Sequence, residues 1–418
     1  VTGTVAGPDI DGGAASPLAD VLSPVQAVID EEAITHNARE LKRWAHPAEL
    51  CAVVKADGYG HSAPMVARAA IAGGATWLAV ALVKEGVALR EAGIELPILV
   101  LSQPADHLIE PAVANSLALA VYTVEGVRAA ATAAGRLGVP ARMHVKVDTG
   151  MHRVGASPDT VLDVVREVLA HPELDFEGLW THFAVADQPA DGFTGEQVRR
   201  FEEMRAALAD AGLPEPRMMH TANSAGSLLH PEARLSMVRC GISLYGYMPS
   251  PAVRPALVEA FPDRSIDLRP ALSWNARVSH VAVQPAGERP SYGRLVELTQ
   301  DTVVATVPLG YHDGVPRAYL AGGGEVLIGG RRRKLAGAVT MDQIVVDCGP
   351  APAPGAGATS TVQRGDEVVL LGRQGDETIT ADEWAERLGV INYEVLCGVG
   401  PRVPRVAKAT IEAGKGVA

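Results

Sequence analysis

The chain has 418 residues, 47% of them hydrophobic, and a net charge of −12 with acidic and basic residues mixed along its length. That length accommodates two substantial domains, or one large barrel with a smaller module, and the composition is that of an ordinary soluble globular protein. The charge argues against a nucleic-acid surface, although an acidic chain can still hold an anion in a basic pocket, and no apolar run approaches membrane-spanning length.

In chain order, residues 1–23 are rich in Gly, Ala, Pro and Asp. They lack a basic segment followed by a hydrophobic stretch, which predicts a disordered tail and not a signal peptide. Residues 24–30 are expected to form a strand that pairs with a later β domain. Its core, Gln26–Ile29, runs into Asp30, a good helix N-cap. Ile34, Ala38, Leu41 and Ala45 then share one helical face, and Pro47 stops that helix.

The next stretch, Leu50-Cys51-Ala52-Val53-Val54-Lys55-Ala56-Asp57-Gly58-Tyr59-Gly60-His61, reads as a buried strand followed by a loop whose two glycines allow close backbone approach. A regular alternation starts here. Strand-like runs lie at Leu50–Val54, Trp77–Ala81, Pro97–Leu101, Leu117–Val121, Ala141–Val147, Leu174–Trp180, Arg217–His220 and Met237–Cys240. Between most of them lie alanine-rich amphipathic stretches such as Met65–Ala72, Val124–Leu137, Thr160–Ala170 and Glu196–Ala211. Eight strands separated by helices predict a (β/α)8 TIM-type barrel over residues 31–266.

From Leu272 the period shortens to two, and further strand-like runs follow at Thr302–Pro308, Glu325–Ile328, Gln343–Asp347 and Glu367–Leu371. Thr380 and Glu383 form a capping box opening a short helix, Ala381–Leu388, that Gly389 closes. Pro350–Thr361 reads as a flexible loop. Residues 267–418 are therefore expected to be a mostly β C-terminal domain, which makes the fold class α/β plus β. The four cysteines, 51, 240, 348 and 397, are far apart and form no Cys-x-x-Cys pair, so reduced thiols in the cytoplasm are expected.

The reactive residues test the barrel reading. Lys55 follows the first barrel strand, Arg153 the fifth and His182 the sixth. Asn223 and Ser224 follow the seventh, Arg239 lies in the eighth, and Gly241-Ile242 come just after it. All map to the C-terminal rim, where barrels do their chemistry and where the last two loops commonly bind phosphate. Each has a plainer role available: a lysine snorkelling from a strand end, Ser224 as an ordinary N-cap, Gly241 as a turn, His182 as a satisfied core histidine. Together, a phosphate site facing a strand-end lysine points to pyridoxal 5'-phosphate, carried as an imine on Lys55.

The motifs AVVKADGYGH (52–61), KVDTGMHRVG (146–155), THFA (181–184), HTANS (220–224), MVRCGISLYG (237–246), SYG (291–293), GYHDG (310–314), TMDQ (340–343) and INYE (391–394) extend from near Gln26 to the end of the chain. In them the chain resembles the alanine racemases, pyridoxal phosphate enzymes with an N-terminal barrel and a C-terminal β domain. The resemblance implies that Lys55 carries the cofactor and is one of two catalytic bases. It implies that Tyr59, Ser224, Gly241, Ile242 and Tyr393 hold the phosphate, with Asn223 beside them, that Arg239 faces the pyridine nitrogen, and that His182 lies beside the ring. Arg153 and the backbone amide of Met341 would contact the substrate carboxylate, and Tyr311 the entry side. Lys146 is a position often carbamylated in that family. Tyr292 would be the second base, contributed by the other subunit of a homodimer; from its own surroundings, Pro290-Ser291-Tyr292-Gly293 reads only as a turn. One departure is Ala338, where much of the family has an arginine near the entrance; Arg317 and Asp187 stand at other positions typical of it.

The expected function is interconversion of L- and D-alanine, a small-molecule substrate, supplying D-alanine for peptidoglycan. The alternatives are a broader amino-acid racemase, a barrel-type decarboxylase and a non-catalytic cofactor carrier. Arg239 and Tyr292 speak against the decarboxylase, and the size of the β domain against the carrier.

Overall fold

Short apolar strands alternating with helices wind residues 49–240 into a closed barrel. The computed structural model describes residues 23–352 and 362–409, so residues 1–22 of the expected tail and 353–361 of the expected loop lie outside the described residues. Ser23 corrects the end of that tail: its Oγ donates to the carbonyl of Val25 (2.6 Å), making it part of the lead into the first strand.

The first strand is β1 (Val25–Ile29). The barrel strands are β2 (Glu49–Val53), β3 (Trp77–Val80), β4 (Ile98–Val100), β5 (Ala118–Val121), β6 (Ala141–Lys146), β7 (Leu174–Trp180), β8 (Met218–His220) and β9 (Met237–Cys240). They pair in parallel in the order β8-β7-β6-β5-β4-β3-β2-β9. The ring closes between β8 and β9 through Ser236 N–H to Met219 O (2.9 Å) and Arg239 N–H to Ala222 O (3.0 Å). Every residue of β3, β4, β5 and β9 is buried, because parallel strands are covered on one face by helices and on the other by the packed barrel interior.

Helix α1 (Glu31–Ala45) starts where Asp30 accepts the amide of Ala33 (2.9 Å), and buries Ile34, Ala38, Leu41 and Ala45. Around the barrel follow α2 (Ala63–Ala72), α3 (Val83–Glu91), α4 (Asp106–Ala114), α5 (Val124–Leu137), α6 (Val161–Leu169), α7 (Phe193–Asp210) and α8 (Ser224–Leu229). The segment between the last two barrel strands is short because α8 has only six residues. An outer helix, α9 (Val253–Ala260), completes the barrel domain.

The β domain is built on β1, which pairs antiparallel with β10 (Leu272–Arg277), Val25 opposite Ala276 and Ile29 opposite Leu272. The remaining strands are β11 (His280–Gln284), β12 (Thr302–Val307), β13 (Glu325–Ile328), β14 (Arg331–Lys334), β15 (Ile344–Pro350), β16 (Glu367–Gln374), β17 (Glu377–Ile379) and β18 (Arg405–Ala407). One sheet runs β14-β13-β16-β10-β1-β18 with β17 on β16, and a second runs β11-β12-β15. A one-turn helix, α10 (Ala318–Ala321), precedes β13, and Tyr319 in it stacks on Trp384 at 4.0 Å. Trp384 belongs to α11 (Ala381–Leu388), which Thr380 caps by accepting from Glu383 N–H (3.1 Å) and Gly389 ends in the left-handed region. The last helix, α12 (Asn392–Cys397), lies against the loop after β2 and brings the β domain to the barrel mouth.

Candidate active site

Lys55 stands at the C-terminal end of β2. The backbone then makes a left-handed turn, with φ between 50° and 63° at Ala56, Asp57, Gly58 and Tyr59. For L-residues this costs on the order of 1–2 kcal/mol each, so three of the four positions store strain that their surroundings must hold. Glu85 on α3 does much of that: Oε1 accepts Ala56 N–H (2.7 Å), and Oε2 accepts Ala81 N–H (2.8 Å) and Leu82 N–H (3.0 Å). Asp57 accepts Ala63 N–H (2.8 Å), and Arg405 Nε donates to Gly60 O (2.9 Å). A Cβ at Gly60 would stand 2.6 Å from the carbonyl of Leu396, so only glycine lets α12 approach this turn.

The turn opens into a cavity of about 750 Å³ at the barrel mouth. Lys55, Tyr59, Lys146, Arg153, His182, Asn223, Ser224, Arg239, Gly241, Ile242 and Tyr393 all line it. That is the size of a small-molecule or cofactor site. Burial, and then the cation of Arg153, hold the Lys55 amine below the ordinary lysine value. Lys146, 4% exposed, has its Nζ 4.6 Å from the centre of the Trp180 ring. Burial, then the charges of Arg239 and Arg153, lower it to about 8.

Arg239 is buried in β9 with no contacting carboxylate among the described residues. Its Nη1 donates to His220 Nδ1 (2.7 Å) and His220 O (3.0 Å); its Nη2 donates to Thr181 O (2.8 Å), Thr221 O (3.0 Å) and His182 Nδ1 (3.3 Å). Its Nε has no partner among the described residues. Burial brings Arg239 down to about 10, still a cation at neutral pH. Because Arg239 donates to His182 Nδ1, the His182 proton sits on Nε2. Burial and the surrounding cations keep that imidazole neutral.

The loops after β8 and β9 are held by their own hydrogen bonds. Asn223 is the N-cap of α8, its Oδ1 accepting Gly226 N–H (3.0 Å), and Ser224 is the first helical residue. The amide of Gly241 donates to Ser224 Oγ (3.0 Å). Glycine is required at 241: a Cβ there would stand 2.5 Å from the Tyr59 hydroxyl. Tyr59 stacks on Tyr245 (4.7 Å between ring centres), and burial raises both the Tyr59 and Tyr393 phenols above the usual range. The first residues of α8, Ser224 and Ala225, line this end of the cavity.

Tyr292, Tyr311 and Met341 are elsewhere. None lines the cavity; they are 76%, 43% and 51% exposed. They do share one surface of the β domain. Ser291 Oγ donates to Ala338 O (2.7 Å), and Tyr311 N–H and His312 N–H donate to Thr340 O (2.9 Å) and Met341 O (3.2 Å). Arg402 bridges Asp313 and Asp342 (2.8 Å each), which locks the 311 and 341 loops together. Ala338 is buried under Ser291, and Asp187 lies at the cavity edge.

Sequence reasoning missed Trp180, over which both Lys146 and Arg239 sit (4.6 and 4.7 Å), and Glu85. It also missed Gln197, which holds the His182 loop through Ala184 N–H (2.8 Å) and His182 O (3.1 Å). An aromatic residue closing a barrel strand was the available signal for Trp180; nothing in the spacing marks the other two. All four cysteines are free thiols; Cys51, Cys240 and Cys348 are buried, and Cys397 lines the cavity.

Two family descriptions match the chain: the alanine racemase N-terminal domain over residues 29–249 and the alanine racemase C-terminal domain over residues 271–407. Among curated relatives, the alanine racemase of Symbiobacterium thermophilum is 45% identical over 92% of this chain and 97% of its own. That of a Nostoc species is 41% identical over 90% and 94%. Among solved structures, the alanine racemase from Streptomyces coelicolor superposes with a TM-score of 0.82 at 36% identity, covering 93% of this chain and 99% of its own.

Proposed function

The chain belongs to the alanine racemase family, and from that premise we propose that it interconverts L- and D-alanine with pyridoxal 5'-phosphate. The observation that carries this reading is the lining of one cavity at the barrel mouth: it holds both a lysine amine kept below its ordinary pKa and a buried arginine with no Nε partner among the described residues. The cavity of about 750 Å³ that these residues line also has room for the cofactor. When bound, that cofactor supplies the electron sink that makes the α-proton removable.

The chain's own residues then have distinct tasks. Lys55 would hold the cofactor and carry a proton on one face of the substrate; the low-dielectric site and Arg153 favour the free amine that a base must be. Arg239 presents donors only, so it would hold the cofactor's ring nitrogen as a hydrogen-bond acceptor and temper the electron sink. Tyr59, Ser224, Ile242 and Tyr393 hold the phosphate, with Gly241 giving Tyr59 room and Asn223 fixing the helix start. Arg153 takes the substrate carboxylate.

The second proton carrier is Tyr292 of the partner subunit in a homodimer, with the partner's Met341 at the substrate carboxylate and the partner's Tyr311 at the entry. The exposure of these three side chains on one rigid surface supports that assignment. His182 Nε2–H is free to donate to the incoming phenol oxygen, which favours its phenolate form. Lys146 as a carbamate would give Arg153 an anionic partner. Free thiols, and no helix among the described residues long and apolar enough to cross a membrane, accord with a cytoplasmic enzyme supplying D-alanine for peptidoglycan.

The test is borohydride reduction of the purified holoenzyme, peptide mapping, and racemisation assays with alanine, serine and lysine. A pyridoxyl group on Lys55 and preference for alanine are expected. A pyridoxyl group on any other lysine ends this reading.

A further inference from the structure

Beneath Arg239 a line of polar groups runs down the inside of the barrel, away from the cavity. His220 Nδ1 accepts from Arg239 (2.7 Å), His220 Nε2 meets His144 Nδ1 (2.9 Å), and His144 Nε2 meets Glu177 Oε2 (3.2 Å). All are buried. Both ends of this line are chemically fixed. Arginine can only donate and a carboxylate can only accept, so each imidazole must carry its proton on Nε2 and accept at Nδ1. At the far end Arg217 Nη2 donates to Glu177 Oε1 (2.6 Å), with Arg142 3.7 Å from Oε2, so the carboxylate stays ionised.

The barrel carries two local irregularities that make room for this line. Met143 pairs with Phe176 but His144 with Gly178, so Glu177 is the extra residue of a β-bulge, a device that re-aims a side chain. A Cβ at Gly178 would stand 2.2 Å from His144 Nδ1, so the imidazole fits only against glycine. Trp77 packs edge-on to His144 (5.4 Å) and Trp180 stacks on His220 (5.4 Å), which fixes both rings.

We infer that Glu177, acting through His144 and His220, is a positioning residue that holds Arg239 in place as a one-way donor at the cavity floor. Without the acceptor at the far end, either imidazole can turn its proton around. A proton on His220 Nδ1 would oppose the Arg239 N–H and displace the guanidinium that faces the cofactor ring. Burial keeps His144 and His220 neutral, which the relay needs. Its catalytic consequence rests on the proposed place of Arg239 opposite the ring; the proton positions do not.

The experiment is ¹⁵N–¹H correlation of histidine-labelled protein, read on wild type, Glu177→Gln and Glu177→Leu, alongside kinetics and cofactor stoichiometry. In wild type His144 and His220 are expected as neutral Nε2–H tautomers. Glu177→Leu is expected to mix the tautomers and to lower kcat about ten-fold with KM and bound cofactor little changed. A wild-type His220 protonated on Nδ1, or a Glu177→Leu protein with wild-type tautomers and kcat, overturns the inference. If Glu177→Leu does not fold, the wild-type spectrum decides alone. Failure of wild type to racemise alanine would instead sink the functional reading, so the two can fail separately.

Discussion

Lys146 Nζ lies 4.6 Å above the ring of Trp180, and no carboxylate among the described residues pairs with it. The indole face attracts a cation, yet burial and the charges of Arg239 and Arg153 win, and the amine titrates at about 8. A sizeable neutral fraction at physiological pH is what reaction with carbon dioxide needs, since the free amine is the nucleophile. In buffer containing ¹³C-bicarbonate a carbamate resonance is expected, absent in Lys146→Arg. Its absence from wild type would remove the anionic partner proposed for Arg153.

The same amine sets a pH dependence. Between about pH 8 and the ordinary value of 10.5 the unfolded chain binds more protons at this site than the folded one. Stability must therefore rise with pH across that window, and the deficit is full below it. Lys146→Met in the apoprotein should be more stable than wild type at pH 7, by on the order of 3 kcal/mol at most, with the gap closing towards pH 10.5. Denaturant melts at both pH values measure this; a gap independent of pH would assign the effect to packing.

Tyr59 and residue 241 form a contact that tolerates no additional carbon. Gly241→Ala places a methyl 2.5 Å from the Tyr59 hydroxyl, which must move. Overpacking of this kind costs about 1–3 kcal/mol. Cofactor affinity should fall about ten-fold, the same order in free energy. Removing the obstructed atom should restore part of it: Gly241→Ala/Tyr59→Phe is expected to bind the cofactor better than additivity of the single changes allows. Strict additivity would mean that residue 241 acts through its own backbone alone.

The barrel was legible because its strands are buried on both faces and its helices amphipathic, so β7, β9 and α5 begin and end where the periodicity places them. Thr380 and Gly389 announced α11 in the same local way. Other elements carry no such pattern. β14 is Arg-Arg-Arg-Lys, a strand held by pairing with β13 and by Arg332 with Glu325, Glu377 and Glu383. α12 is too short to show a period. The bulge that turns Glu177 inward is a defect in alternation, invisible to a method that looks for alternation. Lys55 and Arg239 could be placed from strand ends alone, whereas Tyr292 could not, because nothing in one chain brings it to the cavity.

Glu85 should matter far more than its surface position suggests. One carboxylate accepts three amides, one of them directly after Lys55. Glu85→Gln keeps the shape but offers one neutral carbonyl where two charged oxygens stood, and its amide group opposes the remaining N–H donors. A loss of about 2 kcal/mol in stability is expected, in the range for hydrogen bonds to a charged group. Lys55 should also become more mobile, seen as faster cofactor release. Unchanged release with lowered stability would confine Glu85 to the scaffold.

The shared-site assignment makes a sharp arithmetical demand. Lys55→Ala and Tyr292→Phe are each expected to be nearly inactive as pure dimers, because every site lacks one of its two proton carriers. In a mixed dimer one site joins Lys55→Ala to Tyr292→Phe and is doubly defective. The other joins native Lys55 of one protomer to native Tyr292 of the partner subunit. Equal mixing with free exchange makes half the dimers mixed, each with one good site of two, so about a quarter of wild-type activity should return. A site completed within one chain gives no such recovery at any ratio. Tyr292 is 76% exposed and does not line the cavity that holds Lys55, which is what motivates the mixing experiment. Recovery should also need time for subunits to exchange, and chemically cross-linked homodimers, mixed afterwards, should stay inactive.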